Sequence, residues 1–229
     1  MPATMDFERA RFNMIEQQIR PWDVLDLDVL ALLSHVKRED FVPLAHKSLA
    51  FADMMIPLAT PTDEAVRNGW CMLEPKMEAR MLQDVAPKPH EKVLEVGAGS
   101  GYMAALLASR AQRVISLELH PEPAPRAREN RQRARIANGE VREADGAKGL
   151  PPEGPFDAIV LSGAVVEIPQ VLLNQLKVGG RLAAIVGSDP GMRATFSSRT
   201  GEAAFETTQP WDTLAPRLAR FPEPSRFRF

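Results

Sequence analysis

The sequence has few of the residues that build covalent cross-links and metal centres. It contains one cysteine, Cys71, in 229 residues, which excludes an intramolecular disulfide framework and a cysteine-rich metal site. Its four histidines, at positions 35, 46, 90 and 120, lack the spacing of metal ligands. We therefore expect no metal centre, and we interpret Cys71 as a small packed residue.

Long apolar runs and a strong net charge are also absent. No stretch approaches the roughly 18 apolar residues that a membrane-spanning helix needs, and Asp6, Glu8 and Arg9 stand where a signal peptide would be apolar. The net charge of −2 gives no general attraction to nucleic acid or to membranes. The arginines between Arg126 and Arg135 spread around a helix, as on a solvated face. We expect a cytoplasmic protein that binds neither nucleic acid nor membrane.

The order of apolar patterns predicts the fold class. Strands alternate with helices over most of the chain, which favours an α/β fold with a doubly wound, mostly parallel sheet. The length suits one such domain with an accessory region. We place an N-terminal helical region at residues 1–75. The sheet core, with a C-terminal strand and a proline-rich tail, is placed at residues 76–229, and the two are expected to form one compact unit.

Periodicity and turn residues give the expected elements. Helices are predicted at 6–20, where Pro21 ends the helix, and at 26–36, 75–85, 103–110 and 169–176. Strands are predicted at 93–96, 114–118, 140–146, 156–162 and 181–186, and around Phe205 and Thr207. Residues 57–70 are predicted to form a loop.

The most informative segment is V-L-E-V-G-A-G-S-G, residues 93–101. A buried strand, a tight glycine turn and a helix together form a nucleotide-binding corner. Gly97 and Gly99 let a ligand lie against the backbone; the alternative is that the glycines only make a turn. A dinucleotide site would need a glycine at position 102, which holds Tyr102. The pattern instead resembles motif I of the class I S-adenosylmethionine (SAM)-dependent methyltransferases.

This resemblance implies SAM as the cofactor and gives a role to acids at the next two strand ends. Glu118 lies about 20 residues after the turn, as a ribose-binding acid would, unless it is only an exposed acid at a strand end. Asp145 could accept from the adenine amine and Gly146 could leave room for the ring, unless the pair is only a turn signal. The predicted cofactor-binding residues are Glu95, Gly97, Ala98, Gly99, Gly101, Tyr102, Glu118, Leu119, Asp145, Gly146 and Ser162.

Further motifs narrow the resemblance to one family. They are R-E-D-F-V-P at 38–43, I-P-L at 56–58, A-R-M at 79–81, F-D-A-I-V at 156–160, E-I-P at 167–169 and the segment 176–187. Together with motif I, they resemble the protein L-isoaspartyl O-methyltransferase family over about residues 6–190. The resemblance implies methyl transfer from SAM to a carboxylate of damaged aspartyl residues in a protein or peptide.

The chain departs from this family at the acceptor side. The family has Ser-Gln-Pro before motif I, and its serine faces the methyl-transfer site, whereas this chain has Leu73-Glu74-Pro75. The acceptor-site candidates are Leu73, Glu74, Pro75, Ser162 and Gly163. Three functions therefore remain open: an isoaspartyl methyltransferase, a methyltransferase of the same scaffold acting on another acceptor such as a small metabolite, and a catalytically silent SAM-binding protein.

Overall fold

The computed structural model describes residues 6–223 and contains nine strands in that range. They are β1 Ile56–Pro57, β2 Cys71–Met72, β3 Lys92–Val96, β4 Arg113–Glu118, β5 Gly139–Glu143, β6 Phe156–Val165, β7 Leu176–Ser188, β8 Gly191–Arg199 and β9 Phe205–Asp212. The last seven form one sheet in the order β5-β4-β3-β6-β7-β8-β9. The first five strands in this order, β5, β4, β3, β6 and β7, are parallel to one another. Strand β8 is antiparallel to both of its neighbours, β7 and β9. The predicted α/β class with a mostly parallel sheet is confirmed.

Seven α-helices lie within the described residues. They are α1 Phe7–Met14, α2 Leu27–His35, α3 Thr62–Arg67, α4 Pro75–Val85, α5 Tyr102–Ala108, α6 Pro123–Arg133 and α7 Gln170–Leu173. Helix α4 covers the residues predicted for it. Pro75 is its first residue, a position whose N–H has no partner within the helix, so proline costs no hydrogen bond there. Ala86, which follows the last helical residue, has a left-handed φ of +44°.

The central strand β3 sets the position of the glycine turn. Val96, its last residue, pairs with Leu117 on β4 and with Leu161 on β6. Because the three strands are parallel, their carboxyl ends meet at one edge of the sheet. Ligands bind at this edge in open parallel sheets, and the residues that follow the three strands are therefore brought together.

The first predicted helix is present but changes its winding. Asp6 caps α1 by accepting from the Arg9 N–H at 3.1 Å. The chain continues as a π-helical turn at Ile15–Ile19 and a 3₁₀ turn at Arg20–Trp22. Pro21 lies in that last turn, and the chain leaves it at Asp23, with φ +60°. The helical segment therefore ends two residues later than predicted.

Several elements differ from the sequence prediction. The strand predicted at 140–146 is β5, which ends at Glu143, and the short strands β1 and β2 were not predicted. The predicted loop at 57–70 contains the short helix α3. The predicted helix at 169–176 is limited to α7, because the chain has already joined the sheet at Leu176. Strand β8 was not predicted; its buried face includes Thr195 and Ser197, so it lacks an apolar alternation.

Apolar side chains cover both faces of the sheet. Val93 and Leu94, adjacent on β3, belong to two different buried clusters, as expected for a strand buried on both sides. The cluster that contains Val93 also contains Met14 and Leu33 from the N-terminal helices. The division near residue 75 stays a prediction. Across residues 6–223, no helix has the length and apolar character that crossing a membrane would require.

Candidate active site

A cavity of about 60 Å³ lies at the carboxyl ends of β3 and β4. Its wall combines the glycine turn, the end of β4, the segment 68–71 and the segment 217–221. Segments from distant parts of the sequence thus meet at the edge of the sheet where a cofactor is expected.

The glycine turn after β3 is held by the neighbouring strand. The N–H groups of Gly97 and Ala98 both donate to the Leu117 carbonyl oxygen, at 2.8 and 3.1 Å. Gly97 and Gly99 have φ values of +91° and +50°, which favour glycine. A Cβ on Gly97 would lie 2.8 Å from Cδ2 of Leu218. Glycine is therefore needed for the dihedral angles and, at Gly97, for the close approach of the C-terminal segment.

The Glu118 carboxylate joins the end of β4 to the glycine turn. Its Oε2 accepts from the Gly99 N–H at 2.9 Å, and its Oε1 accepts from the His120 N–H at 3.1 Å. The side chain lines the cavity and is 6% exposed. A carboxylate has about four acceptor sites, so two remain for the hydroxyl groups of a bound ligand.

Asp145 and Gly146 follow β5 at the same edge. Gly146 lines the cavity, and a Cβ there would lie 2.2 Å from Cγ1 of Val96. Asp145 does not line it; its carboxylate accepts from the Ala147 N–H at 3.1 Å and lies 3.8 Å from the Arg220 guanidinium. The glycine allows the β5 loop to pack against the end of β3.

Gly146→Ala is expected to weaken binding of S-adenosylhomocysteine, the product form of the expected cofactor, by about tenfold. The added methyl group must displace Val96, which is buried and stiff, and overpacking of this kind costs about 1–3 kcal/mol. Calorimetric titration measures the affinity. Gly191→Ala is the matched control, because its Cβ would approach nothing closer than 3.6 Å. Equal affinities in the two variants would contradict this account of Gly146.

The Glu95 carboxyl group lies inside the sheet, behind the cavity wall. Its Oε1 accepts from the Ser162 hydroxyl on β6 at 2.8 Å, and its Oε2 accepts from the Ser116 hydroxyl on β4 at 2.6 Å. Burial raises the pKa of Glu95 to about 8, even though both hydroxyl groups lower it. Glu95 thus connects three strands two residues before the glycine turn.

A smaller apolar cavity of about 10 Å³ lies on the other side of Ser162. Its apolar wall residues are Leu73, Met77, Met81, Met103, Val160, Leu161 and Ile185, and its polar ones are Glu78 and Ser162. Within the described residues, Ser162 is the one residue that lines both cavities. Ser162 therefore marks the boundary between the cofactor cavity and the apolar cavity.

The other acceptor-site candidates surround this boundary. Leu73 is 8% exposed and shares the apolar cavity with Ser162. Glu74 and Pro75 do not line it: Oε2 of Glu74 lies 3.5 Å from Nζ of Lys76, and Pro75 is buried at the start of α4. Gly163 backs onto the C-terminal segment, where a Cβ would lie 2.8 Å from Leu218. Of these candidates, Leu73 and Ser162 are brought together in one cavity wall.

An ion pair beneath Leu73 supports the apolar cavity. Arg38 is fully buried and forms an ion pair with Glu78. Its guanidinium also donates to the Ala50 carbonyl oxygen at 3.0 Å and to the Leu73 carbonyl oxygen. Burial raises the pKa of Glu78 to about 7, although the Arg38 guanidinium lowers it. The R-E-D-F-V-P segment therefore contributes a structural cation under the start of α4.

The predicted cofactor residues divide into two groups. Those in the cavity wall are Gly97, Gly99, Glu118, Leu119, Gly146 and Ser162; those behind it are Glu95, Ala98, Gly101, Tyr102 and Asp145. Tyr102 is 1% exposed, with its ring 5.3 Å from that of Phe41, and its hydroxyl has no hydrogen-bond partner among residues 6–223. A Cβ on Gly101 would lie 3.1 Å from the Ala127 carbonyl oxygen. Cofactor binding by each of these residues stays a prediction.

Several wall residues were not predicted from the sequence. They are Asn68, Gly69, Trp70, Cys71, His120, Pro123, Arg217, Leu218, Ala219 and Phe221, with Val96, Leu117 and Ala144 beside the predicted positions. Trp70 and His120 lie with their rings 5.3 Å apart. Residues 210–229 were noted only as a proline-rich tail, of which 224–229 lie outside the described residues. Trp70 belongs to no sequence motif that would identify it as a cavity residue.

Within residues 6–223, no three His, Cys, Asp or Glu side chains lie close enough together to hold a metal ion. The polar side chains of the cavity wall are those of Asn68, Glu118, His120, Ser162 and Arg217. This set offers both hydrogen-bond donors and acceptors to the hydroxyl groups of a sugar and the edges of a base.

Comparison with known proteins identifies the family of this chain. Residues 10–211 match the family model described as protein-L-isoaspartate(D-aspartate) O-methyltransferase. The protein-L-isoaspartate O-methyltransferase of Methanoculleus marisnigri is 43% identical over 179 residues, which cover 78% of each chain. Protein-L-isoaspartate O-methyltransferase 1 of Syntrophobacter fumaroxidans is 40% identical over 183 residues, covering 80% of this chain and 82% of the relative.

A solved structure shows the same fold. It is a putative protein-L-isoaspartate O-methyltransferase from Plasmodium falciparum in complex with S-adenosylhomocysteine, with a TM-score of 0.74 and 19% identity. The match covers 95% of this chain and all of that one. The family model and the curated relatives both cover most of the sequence, and the chain therefore belongs to the protein-L-isoaspartate(D-aspartate) O-methyltransferase family.

Proposed function

We propose that this chain transfers the methyl group of SAM to the carboxylate of an isoaspartyl residue in a protein or peptide. The observation that carries the proposal is the meeting of two cavities at Ser162. One contains the Glu118 carboxylate and the glycine turn, and the other contains Leu73 at the predicted acceptor side. Membership of the family supports the reaction and the substrate class.

The residues of the larger cavity fit the expected cofactor. Glu118 has two acceptor sites left for the ribose hydroxyl groups, and Gly146 lines the same cavity at the end of β5, on the side expected for the adenine ring. Gly97 and Gly99 expose backbone rather than side chains to the ligand. When bound, SAM supplies a methyl group on a positively charged sulfur.

The chain's own residues have little acid–base work to do in this reaction. An isoaspartyl carboxylate is already ionised at neutral pH, so no general base is needed to activate it. The protein therefore acts chiefly by holding the reacting groups in line. Glu74, which would repel a carboxylate, lies beside Lys76, whose Nζ is also 2.6 Å from Oδ2 of Asp53. Lys76 therefore offsets part of the negative charge of Glu74 and Asp53.

Incubation with labelled SAM and an isoaspartyl peptide tests the function. We expect a base-labile methyl ester on this peptide and none on the same peptide with an ordinary aspartate. Transfer to a small metabolite instead would favour the second function. Binding of SAM without turnover on any acceptor would favour the silent protein.

Leu73→Ser is expected to keep or raise kcat/KM on the isoaspartyl peptide. The substitution returns a hydroxyl group to the apolar cavity shared with Ser162. Leu73→Ala is the matched control, because it creates similar space without the hydroxyl group, and a hydrogen bond contributes roughly 0.5–1.5 kcal/mol. A serine variant no better than the alanine variant would indicate that Leu73 is an apolar wall for a different acceptor.

A cytoplasmic location is part of the same proposal. The single cysteine supports it, because secreted small domains commonly depend on disulfides. Fractionation of the producing cells would test it.

A further inference from the structure

The hydroxyl hydrogens around Glu95 limit what Ser162 can offer to a ligand. Ser116 and Ser162 each have one hydroxyl hydrogen, and both hydroxyl groups lie within hydrogen-bonding distance of Glu95. If Glu95 is ionised, it is acceptor-only, so both hydroxyl groups donate to it. Ser162 then has no hydrogen to donate into the cavities.

A protonated Glu95 changes this arrangement. Its own hydrogen must go to one of the two serine oxygens, and that serine must donate elsewhere. Ser116 is 1% exposed and has no other side-chain hydrogen bond within the described residues, so reversal there would leave a buried hydrogen unpaired, which is unfavourable. Ser162 faces two cavities. The reversal is therefore favoured at Ser162.

We propose that Glu95 is a positioning residue for methyl transfer: its protonated carboxyl group donates to Ser162 Oγ, and the Ser162 hydroxyl group then donates to the acceptor carboxylate. The proposal rests on the proposed function, because it takes a carboxylate as the acceptor. Burial supports it by raising the pKa of Glu95 to about 8. The charged groups that act on Glu95 are Glu78, which is paired with Arg38, and Glu118.

The wild-type protein should lose activity as Glu95 ionises. With saturating SAM, kcat/KM for the isoaspartyl peptide is expected to fall above about pH 8, because the ionised carboxylate takes back the Ser162 hydrogen. The peptide carboxylate stays ionised throughout this range, so it does not cause the fall.

Glu95→Gln separates this role from a purely structural one. The glutamine amide can donate to Ser162 and accept from Ser116 at every pH, so kcat/KM of this variant should not fall above about pH 8. Ser162→Ala should lower kcat/KM for the peptide by about tenfold or more and also remove the fall. Its affinity for S-adenosylhomocysteine should fall much less than its kcat/KM for the peptide, since the lost bond is to the acceptor.

Ser116→Ala is the matched control. It removes a hydroxyl group that lowers the pKa of Glu95 and leaves Ser162 in place. Activity near neutral pH should be retained, and the fall should move to higher pH.

Rates are measured by formation of S-adenosylhomocysteine, because the methyl ester itself is labile in base. Urea unfolding gives a readout that is independent of activity. The raised pKa of Glu95 favours the folded state fully below about pH 4.5, and this contribution is lost as the pH rises through about 8. Relative to Glu95→Gln, the wild type should therefore lose stability over that range.

Three results would overturn the inference. They are a pH-independent wild type, a Glu95→Gln variant that keeps the fall, and a Ser162→Ala variant that loses cofactor affinity while kcat/KM for the peptide is unchanged. If the protein shows no turnover on the isoaspartyl peptide at every pH tested, both the inference and the proposed function are overturned. Turnover with a flat profile would overturn the role of Glu95 alone.

Discussion

Replacing Glu118 by alanine is expected to weaken binding of S-adenosylhomocysteine by about a hundredfold or more. Two hydrogen bonds from the ligand to a charged group are lost, each contributing about 1.5–3 kcal/mol, and about 1.4 kcal/mol corresponds to a tenfold change in affinity. The variant also leaves the Gly99 and His120 N–H groups without their acceptor. Calorimetric titration measures the effect.

Two further variants make the Glu118 experiment specific. Glu118→Gln should bind more tightly than the alanine variant, because its amide oxygen still accepts. Glu143→Ala is the control, since Glu143 pairs with Glu118 across the sheet but is exposed and lies outside the cavity wall. Near-wild-type affinity in both Glu118 variants would show that another residue binds the ribose.

Replacing Arg38 by leucine is expected to destabilise the fold by about 3–5 kcal/mol at pH 8, because the buried Glu78 carboxylate loses its cation. Arg20→Leu, which breaks an exposed pair with Glu16, should cost less than about 1 kcal/mol. Urea unfolding measures both. Equal losses in the two variants would contradict the structural role of Arg38.

The pH dependence of this loss provides a second test. The pKa of Glu78 is already raised to about 7 in the folded protein, and loss of Arg38 should raise it further. The carboxyl group can then become neutral, so the destabilisation should be smaller at pH 5 than at pH 8. The double variant Arg38→Met/Glu78→Leu should regain most of the stability, because apolar replacement of a buried pair is often neutral.

Local signals in the sequence were sufficient for the elements around the glycine turn. Residues 93–96 are apolar except for Glu95, and Pro75 marks the start of α4. Strand β3 and helix α4 were therefore predicted closely. Strand β8 was not, because its pairing depends on contacts that a local pattern does not contain. One of them is the 2.8 Å hydrogen bond between the hydroxyl groups of Ser197 and Thr207 on β9.

The candidate site was predictable where it follows from strand order. Glu118 and Gly146 end parallel strands, and parallel order alone brings them to the edge that carries Gly97. Trp70 and Leu218 reach the same cavity from the N-terminal region and from the end of the chain. Their positions depend on tertiary packing, and neither belongs to a motif.

The contact of the C-terminal segment with β6 has a consequence for synthesis of the protein. The Ala164 N–H donates to the Pro216 carbonyl oxygen at 2.8 Å, and the Leu218 N–H donates to the Ala164 carbonyl oxygen at 2.9 Å. Residues 217–221 thereby complete a cavity whose glycine turn is translated more than a hundred residues earlier. A nascent chain still lacking this segment has the glycine turn but not the full cavity wall, so we expect the cofactor to stabilise the fold most once translation has passed residue 221.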